Sequence, residues 1–379
     1  MQSDRNPGNQ TVRQCVIFGG AGYIGTHLAK RFLETGRFDR VHLADIRPSP
    51  LEGQPGVSYS RTDVRLEIPR DLVRYKPEWI FNLAAVHREP GHEAYEYFAT
   101  NLPGARNVCQ YAEDTGCENI YFTSSISVYG PTDGPTSESS PTKPTTPYGG
   151  SKLPAELIHE GWFRAERNRR LVICRPGVVY GPGDPGNILR MIRAVKKGYF
   201  AYPGSPSIFK SYAYIYGLLD SVEFLMDRPE LNYVVHNYVE TPTEPLAQLV
   251  EITKKFLNCR AVVLPIPLWI LLPIAHAVQA LFGKANPVHP VRVRKAATPT
   301  YIVPQTLIDL DFDFRYTFAE SLEHWQQISP GDFNSAAAAS EGARSLHLIA
   351  PALSKQPNAL QDKKSTSIVS STESSTKSE

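Results

Sequence analysis

Tyr148 and Lys152 stand four residues apart in the run Tyr148-Gly149-Gly150-Ser151-Lys152. On a helix that spacing puts a phenol and an ammonium on one face. A free phenol ionises at about pH 10, too high for a base at neutral pH. A neighbouring positive charge favours the phenolate and makes the pair a usable proton acceptor. A hydroxyl partner precedes them: Thr123-Ser124-Ser125 closes an apolar run, and a serine there can hydrogen-bond a reacting oxygen. Ser125, Tyr148 and Lys152 are therefore candidate catalytic residues. The same stretch has a purely structural reading, a helix start with Thr146 as cap and Pro147 at the first position. Pro154, two residues past Lys152, removes a backbone donor and predicts a kink.

A second group of residues suits a phosphate. Gly19-Gly20-Ala21-Gly22-Tyr23-Ile24-Gly25 lies between an apolar, partly β-branched run and a stretch with helical periodicity. Glycine is required where a chain turns sharply and where backbone approaches a pyrophosphate. The helix start then offers free N–H groups and a positive dipole end. Asp45 ends the next predicted strand, 20 residues after Gly25, where a carboxylate can hold the two hydroxyls of a ribose. This order predicts a dinucleotide site made by Gly19, Gly22, Tyr23, Ile24, Gly25 and Asp45. The acid favours NAD and repels a 2′-phosphate, while Arg47 keeps NADP open as the alternative. A bound nicotinamide adds a positive ring beside Tyr148, and Lys152 can also hold its ribose.

The elements that must position these residues follow the same alternation. Strands are predicted at Cys15–Phe18, Val41–Ala44, Trp79–Ala84, Ile120–Thr123 and Leu171–Cys174, with helices over Ile24–Leu33 and Leu102–Ala112. Strands alternating with helices imply a parallel sheet covered on both faces. The expected fold class is α/β, a Rossmann-type doubly wound parallel sheet with a smaller C-terminal substrate lobe. The expected division is a disordered start over 1–12, an NAD-binding domain over 13–180, a substrate lobe over 181–334 interleaved with the last sheet elements, and a disordered tail over 335–379, rich in Ala, Ser, Thr and Lys.

Composition narrows the function classes. Of 379 residues 41% are hydrophobic and 21% charged, ordinary globular usage. Lys+Arg exceeds Asp+Glu by only 2 (40 against 38), which gives no reason to expect a nucleic-acid partner. Five cysteines form no CxxC and read as thiols of a reducing compartment. No metal-ligand spacing stands out, and residues 1–10 lack the apolar core of a secretory signal. Val262–Phe282 carries no formal charge over 21 residues. Pro265, Pro267 and Pro273 argue against a transmembrane span. A helix buried in the smaller lobe is expected for most of its side chains. Membrane-surface contact is the alternative, with Trp269 and Phe282 suited to it.

Over about residues 13–328 these motifs together resemble the extended short-chain dehydrogenase/reductase superfamily, of the NAD-dependent epimerase/dehydratase kind. The glycine spacing is GxxGxxG. The resemblance implies further cofactor contacts from Asp63 and Val64, near adenine, and from Leu83, Ala84 and Ala85 after the fourth strand. The sugar-nucleotide 4,6-dehydratases of this superfamily place an Asp-Glu pair after the hydroxyl residue; Ile126 and Ser127 stand here. A cysteine that 3,5-epimerases use nearby is also missing. Ser125 followed by Val128-Tyr129-Gly130 is similar to the 4-epimerases, which oxidise C4, let the keto sugar turn over and reduce its other face. UDP-sugar epimerases usually carry asparagine at Val178, a departure that keeps 4-ketosugar reductases in play.

Gly186–Ile192, Lys210–Ile215, Asn237-Tyr238-Val239 and Val291–Lys295 further resemble a bacterial branch that includes 4-epimerases of N-acetylglucosaminyl-diphospho-undecaprenol, a lipid-linked sugar. His87-Arg88-Glu89 also matches that branch. The resemblance places Lys210 where relatives hold phosphate with arginine, and Arg294 is a second candidate for the diphosphate. The implied function is an NAD-dependent 4-epimerase of a diphosphate-linked GlcNAc-type sugar, on lipid or UDP, in glycan precursor synthesis. The alternatives are a 4-ketosugar reductase and a non-catalytic dinucleotide-binding regulator. Cytoplasmic placement is expected, with peripheral contact at the inner face of the cell membrane through Val262–Phe282; a homodimer is compatible with this reading.

Overall fold

In the computed structural model the described residues are 12–184, 186–282 and 289–334, with the backbone alone of Phe282. Residues 1–11 and the tail from Ser335, where composition predicts disorder, lie outside them.

The first half alternates as the pattern predicts. β1 (Gln14–Phe18) leads through the glycine run into α1 (Tyr23–Glu34) and then β2 (Arg40–Asp45). β3 (Val57–Arg61) has no apolar run to betray it, because it is an edge strand with no fully buried residue. β4 (Trp79–Asn82) stops two residues before the end of its apolar run; Leu83 still donates to the Phe18 carbonyl, and then the chain turns away. α2 (Ala94–Thr115) begins well before the predicted stretch. Its start is set by a reciprocal capping box between Glu93 and Glu96, not by apolar spacing. β5 (Asn119–Thr123) precedes α3 (Pro147–Ala165), which starts as expected: Thr146 Oγ1 accepts from the Gly149 N–H at 3.2 Å. The helix continues unbroken past Pro154 to β6 (Arg170–Pro176).

The second half is β7 (Val178–Tyr180), α4 (Asn187–Lys196), β8 (Tyr199–Pro203), β9 (Tyr212–Tyr214), α5 (Ile215–Met226), β10 (Tyr233–Tyr238), α6 (Leu246–Phe256), β11 (Val262–Ile266), α7 (Leu268–Phe282), α8 (Pro290–Ala297), α9 (Gln305–Asp309) and α10 (Phe318–Ile328). The main sheet has the order β10-β6-β5-β4-β1-β2-β3, all parallel. Smaller pairs, β7 with β9 and β8 with β11, build the region beyond its strand ends.

Strand alternation sends side chains to two cores. Cys15 and Ile17 of β1 pack with Leu28 and Phe32 of α1 and Leu218 of α5; Val16 and Phe18 pack with Val108 and Tyr111 of α2 and Trp162 of α3. Both faces are buried, so the central strands read as continuous apolar runs.

The segment Val262–Phe282 departs from expectation. It is not a core helix: it forms an exposed strand and then α7, and Ala275 is the one buried residue among its described side chains. Val262, Leu264, Trp269, Ile274 and Leu281 are all exposed, Trp269 by 76% and Leu281 by 78%. Among the described residues no helix is long and apolar enough to cross a membrane.

One buried polar network joins the sheet to α3. Arg175 on β6 donates to both carboxylate oxygens of Glu156 at 2.9 and 2.7 Å, and to the Tyr129 hydroxyl at 2.9 Å. Ser124 donates to the same carboxylate, and Tyr129 donates to Asn237 on β10. Removing one partner of such a pair leaves the other charge uncompensated. Arg175→Met is therefore expected to lower stability by about 3–5 kcal/mol, read by urea denaturation of the purified protein.

Candidate active site

The crevice opens where the strand order reverses, beyond the C-terminal ends of β1 and β4. Gly19 sits there with φ +80°, and a Cβ on it would lie 2.8 Å from the backbone of Leu83 and Ala84. A Cβ on Gly25 would lie 2.5 Å from the Gly19 carbonyl oxygen. Glycine at these two positions lets the loops after β1 and β4 touch and α1 start against the turn. The turn is held by Gly19 N–H to the Ala44 carbonyl (2.8 Å) and Gly22 N–H to the Gly19 carbonyl (3.0 Å). Gly22 caps α1 with no side chain, so the first-turn N–H groups of Tyr23, Ile24 and Gly25 face the loop without a side-chain acceptor.

Asp45 ends β2 beside this turn, 7% exposed. Its Oδ2 accepts from the Ala21 N–H (3.1 Å) and its Oδ1 from the Arg47 N–H (3.0 Å). Each carboxylate oxygen keeps a lone pair for another donor. The Arg47 guanidinium lies 3.7 Å from the same carboxylate. Leu83, Ala84 and Ala85 line the opposite side, directly after β4. Asp63 and Val64 follow β3. The Asp63 carboxylate is gripped by the Arg65 side chain, which holds it below the usual carboxylate range, and the Val64 carbonyl accepts from Asn107. The turn and the uncapped helix start fit the pyrophosphate of a dinucleotide, and the anchored acid fits a ribose beside it.

The three candidate catalytic residues come together at the end of β5. Ser125 accepts from the Ser127 N–H (3.1 Å), donates to Ser127 Oγ (3.0 Å) and lies near enough to the Tyr148 phenol to favour its ionised form. Lys152 is 2% exposed; its ammonium donates to the Thr123 carbonyl (2.7 Å) and lies 4.7 Å from the Phe122 ring centroid. Burial pulls Lys152 down to about 7, with the Glu156 carboxylate acting in the opposite direction. Burial pushes Tyr148 up, with the Ser125 hydroxyl acting in the opposite direction. The protein alone thus disfavours charge on both groups.

Residues 15–227 match the NAD dependent epimerase/dehydratase family. Over 320 residues the chain is 30% identical to the N-acetyl-α-D-glucosaminyl-diphospho-ditrans,octacis-undecaprenol 4-epimerase of Escherichia coli O157:H7, covering 82% of this chain and 94% of that protein. The chain belongs to this family. It is an NAD-dependent sugar epimerase of the short-chain dehydrogenase/reductase type, and its cofactor is NAD. It is also 27% identical to UDP-glucose 4-epimerase 2 of Arabidopsis thaliana over 213 residues, 49% of this chain and 61% of that one. The fold is that of the UDP-glucuronic acid 4-epimerase from Bacillus cereus, with a TM-score of 0.65 at 18% identity over 83% of this chain and 98% of that chain.

The two cations expected at the diphosphate of this epimerase occupy different settings. The Lys210 ammonium donates to the Lys295 carbonyl (2.8 Å) and the Thr298 carbonyl (2.5 Å), closing the end of α8. Burial, then the charge of Lys295, lowers it to about 8. Two of its three donors are already committed to backbone. Arg294 on α8 is exposed and its guanidinium has no partner among the described residues.

Sequence reasoning missed the supports of the site. Asn101, in the middle of α2, bonds both the N–H (2.9 Å) and the carbonyl (3.2 Å) of Val86 and reaches Ser151 Oγ at 2.8 Å. It ties the loop after β4 to the catalytic helix. Glu156 stands one turn after Lys152, a helical spacing that was readable, but its partner Arg175 comes from β6 and was not. Because Asp45 is buried and anchored, Asp45→Asn is expected to keep one of its two backbone hydrogen bonds while removing the charge. Titration calorimetry should show NAD affinity lower by about tenfold and a narrower preference over NADP.

Proposed function

We propose that this enzyme is a 4-epimerase of a GlcNAc-type sugar carried on a polyprenyl diphosphate, in glycan precursor synthesis. The observation that carries the reaction type is the Ser125–Tyr148–Lys152 cluster with Ile126 and Ser127, not acids, beside it. Such a site can move one proton at one hydroxyl and has no group there to expel water. The similarity to the lipid-linked 4-epimerase over 94% of that protein supports the substrate.

In this reading Ser125 hydrogen-bonds the sugar O4, and Tyr148 accepts the O4 proton and later returns it. Lys152 holds the nicotinamide ribose and favours the phenolate. The bound nicotinamide supplies reversible two-electron oxidation at C4 and the positive charge that the buried phenol lacks in the protein alone. Arg294 is the better placed of the two expected diphosphate cations, since Lys210 already serves α8. Tyr148→Phe keeps the ring and removes the ionisable oxygen. Turnover of GlcNAc-diphospho-undecaprenol is expected to fall on the order of 10²–10⁴-fold with NAD affinity retained, and wild-type product should form without net change in nicotinamide absorbance. Undiminished turnover in the variant, or stoichiometric consumption of NADH, contradicts the assignment.

The polyprenyl carrier draws support from α7 and α8. Val262 and Leu264 of β11 and Trp269, Ile274 and Leu281 of α7 are exposed apolar side chains within one stretch of the chain. Between Glu251 and Asp309 the sequence contains no acidic residue but carries Lys254, Lys255, Arg260, Lys284, Arg292, Arg294 and Lys295. Apolar surface among cations suits peripheral docking on an anionic bilayer, at the inner face of the cell membrane. Trp269→Ser with Leu281→Ser should reduce co-sedimentation with phosphatidylglycerol vesicles and slow the lipid-linked substrate, with turnover of UDP-GlcNAc nearly unchanged. Equal loss on both substrates, or on neither, counts against the membrane contact.

A further inference from the structure

Glu89 lies in the loop after β4, with a side chain 8% exposed, and each of its carboxylate oxygens meets a different part of the chain. Oε1 accepts from the Tyr148 backbone N–H at 3.2 Å, in the first turn of α3. Oε2 lies 2.5 Å from the ammonium of Lys295, in the last turn of α8. The loop is braced next door, where the Tyr97 hydroxyl of α2 donates to the Arg88 carbonyl at 2.5 Å. Lys295 is braced in turn, since its carbonyl accepts from Lys210. The groups acting on the Tyr148 phenol are Ser125 from the end of β5, Glu89 from this loop and Tyr97 from α2 (ring centroids 6.3 Å apart), and Lys152 stands one turn along α3. Of these only Glu89 is a carboxylate, and a negative charge there opposes a phenolate.

We propose that the Glu89–Lys295 ion pair positions the catalytic tyrosine, fastening α8 to the start of α3 and compensating a carboxylate charge that would otherwise oppose proton abstraction. Lys295 reaches Glu89 from an element more than a hundred residues further along the chain, so the pair forms only when the second half of the molecule is seated on the first. Glu89 and Lys295 are positioning residues; neither is assigned contact with the sugar. The inference rests on Tyr148 being the proton acceptor.

The test is a pH titration of the Tyr148 Cζ resonance in full-length, NAD-loaded protein labelled with ¹³Cζ-tyrosine, the signal being assigned by its loss in Tyr148→Phe. Lys295→Met leaves Glu89 uncompensated and should raise the ionisation midpoint by about one pH unit, while Glu89→Gln, which keeps an acceptor for the Tyr148 N–H, should lower it by about as much. The double variant and Lys295→Arg should both lie near wild type. Midpoints that stay put, or that move the same way in both single variants alongside equal losses in thermal stability, reduce the pair to a fold fastener and overturn the proposal. A Tyr148 signal that stays that of a neutral phenol in wild type at every accessible pH overturns the base assignment instead, and the inference with it.

Discussion

The site depends on one close approach. The loops after β1 and β4 meet at Gly19 with no room for a Cβ between them, at the point where the sheet reverses its order. That contact sets the floor of the cofactor crevice. It brings Leu83–Ala85 opposite the uncapped start of α1, and it places Asp45 on the next strand over. Because parallel neighbours share one direction, every strand of the main sheet delivers its C-terminal residue to the same edge. Asp45, the last residue of β2, and Ser125, two residues past the end of β5, share that edge for that reason.

Electrostatics then makes the catalytic pair conditional. A buried lysine held at about 7 and a phenol pushed upward leave the protein alone with two weakly ionised groups. Desolvation outweighs the attraction that simple proximity on a helix would supply. Charge in the pair therefore has to be sustained from around it. Glu156 does so for Lys152, and Arg175 holds the Glu156 carboxylate in place by donating to both of its oxygens. Ser124 and Tyr129 bond the same two groups, so the polar network under Lys152 joins α3, β5 and β6 in one unit. This is a low-dielectric environment in which each hydrogen bond counts for more than it would in water, and each loss does too.

The second half of the chain supplies a different kind of surface. β10 completes the sheet beside β6, while α7 and α8 stand outside the core with apolar and basic side chains exposed. Val262–Phe282 is a short strand and a separate helix with Pro267 between them, and the uncharged run is surface instead of interior. Lys210, expected at the substrate, caps α8 from within, so the same helix that exposes Arg294 is tied down at its end.

The amino-acid sequence by itself determined the strand–helix alternation, the glycine turn with its acid 20 residues on, and the Ser125, Tyr148 and Lys152 set, because each is a local pattern: apolar period, conformational freedom of glycine, helical spacing of two side chains. It also placed the Thr146 cap, a contact across three residues. It missed β3, whose edge position removes the apolar run that marks a buried strand, and it put most of Val262–Phe282 in the core, since absence of charge reports hydrophobicity and not burial. Only the tertiary structure decided what surrounds the site. Arg175 on Glu156, Asn101 on Val86 and Lys295 on Glu89 join residues 19, 15 and 206 positions apart. Pairings over such separations leave no periodic trace in a chain, because they follow from which strands lie side by side and from which helix ends point into the crevice.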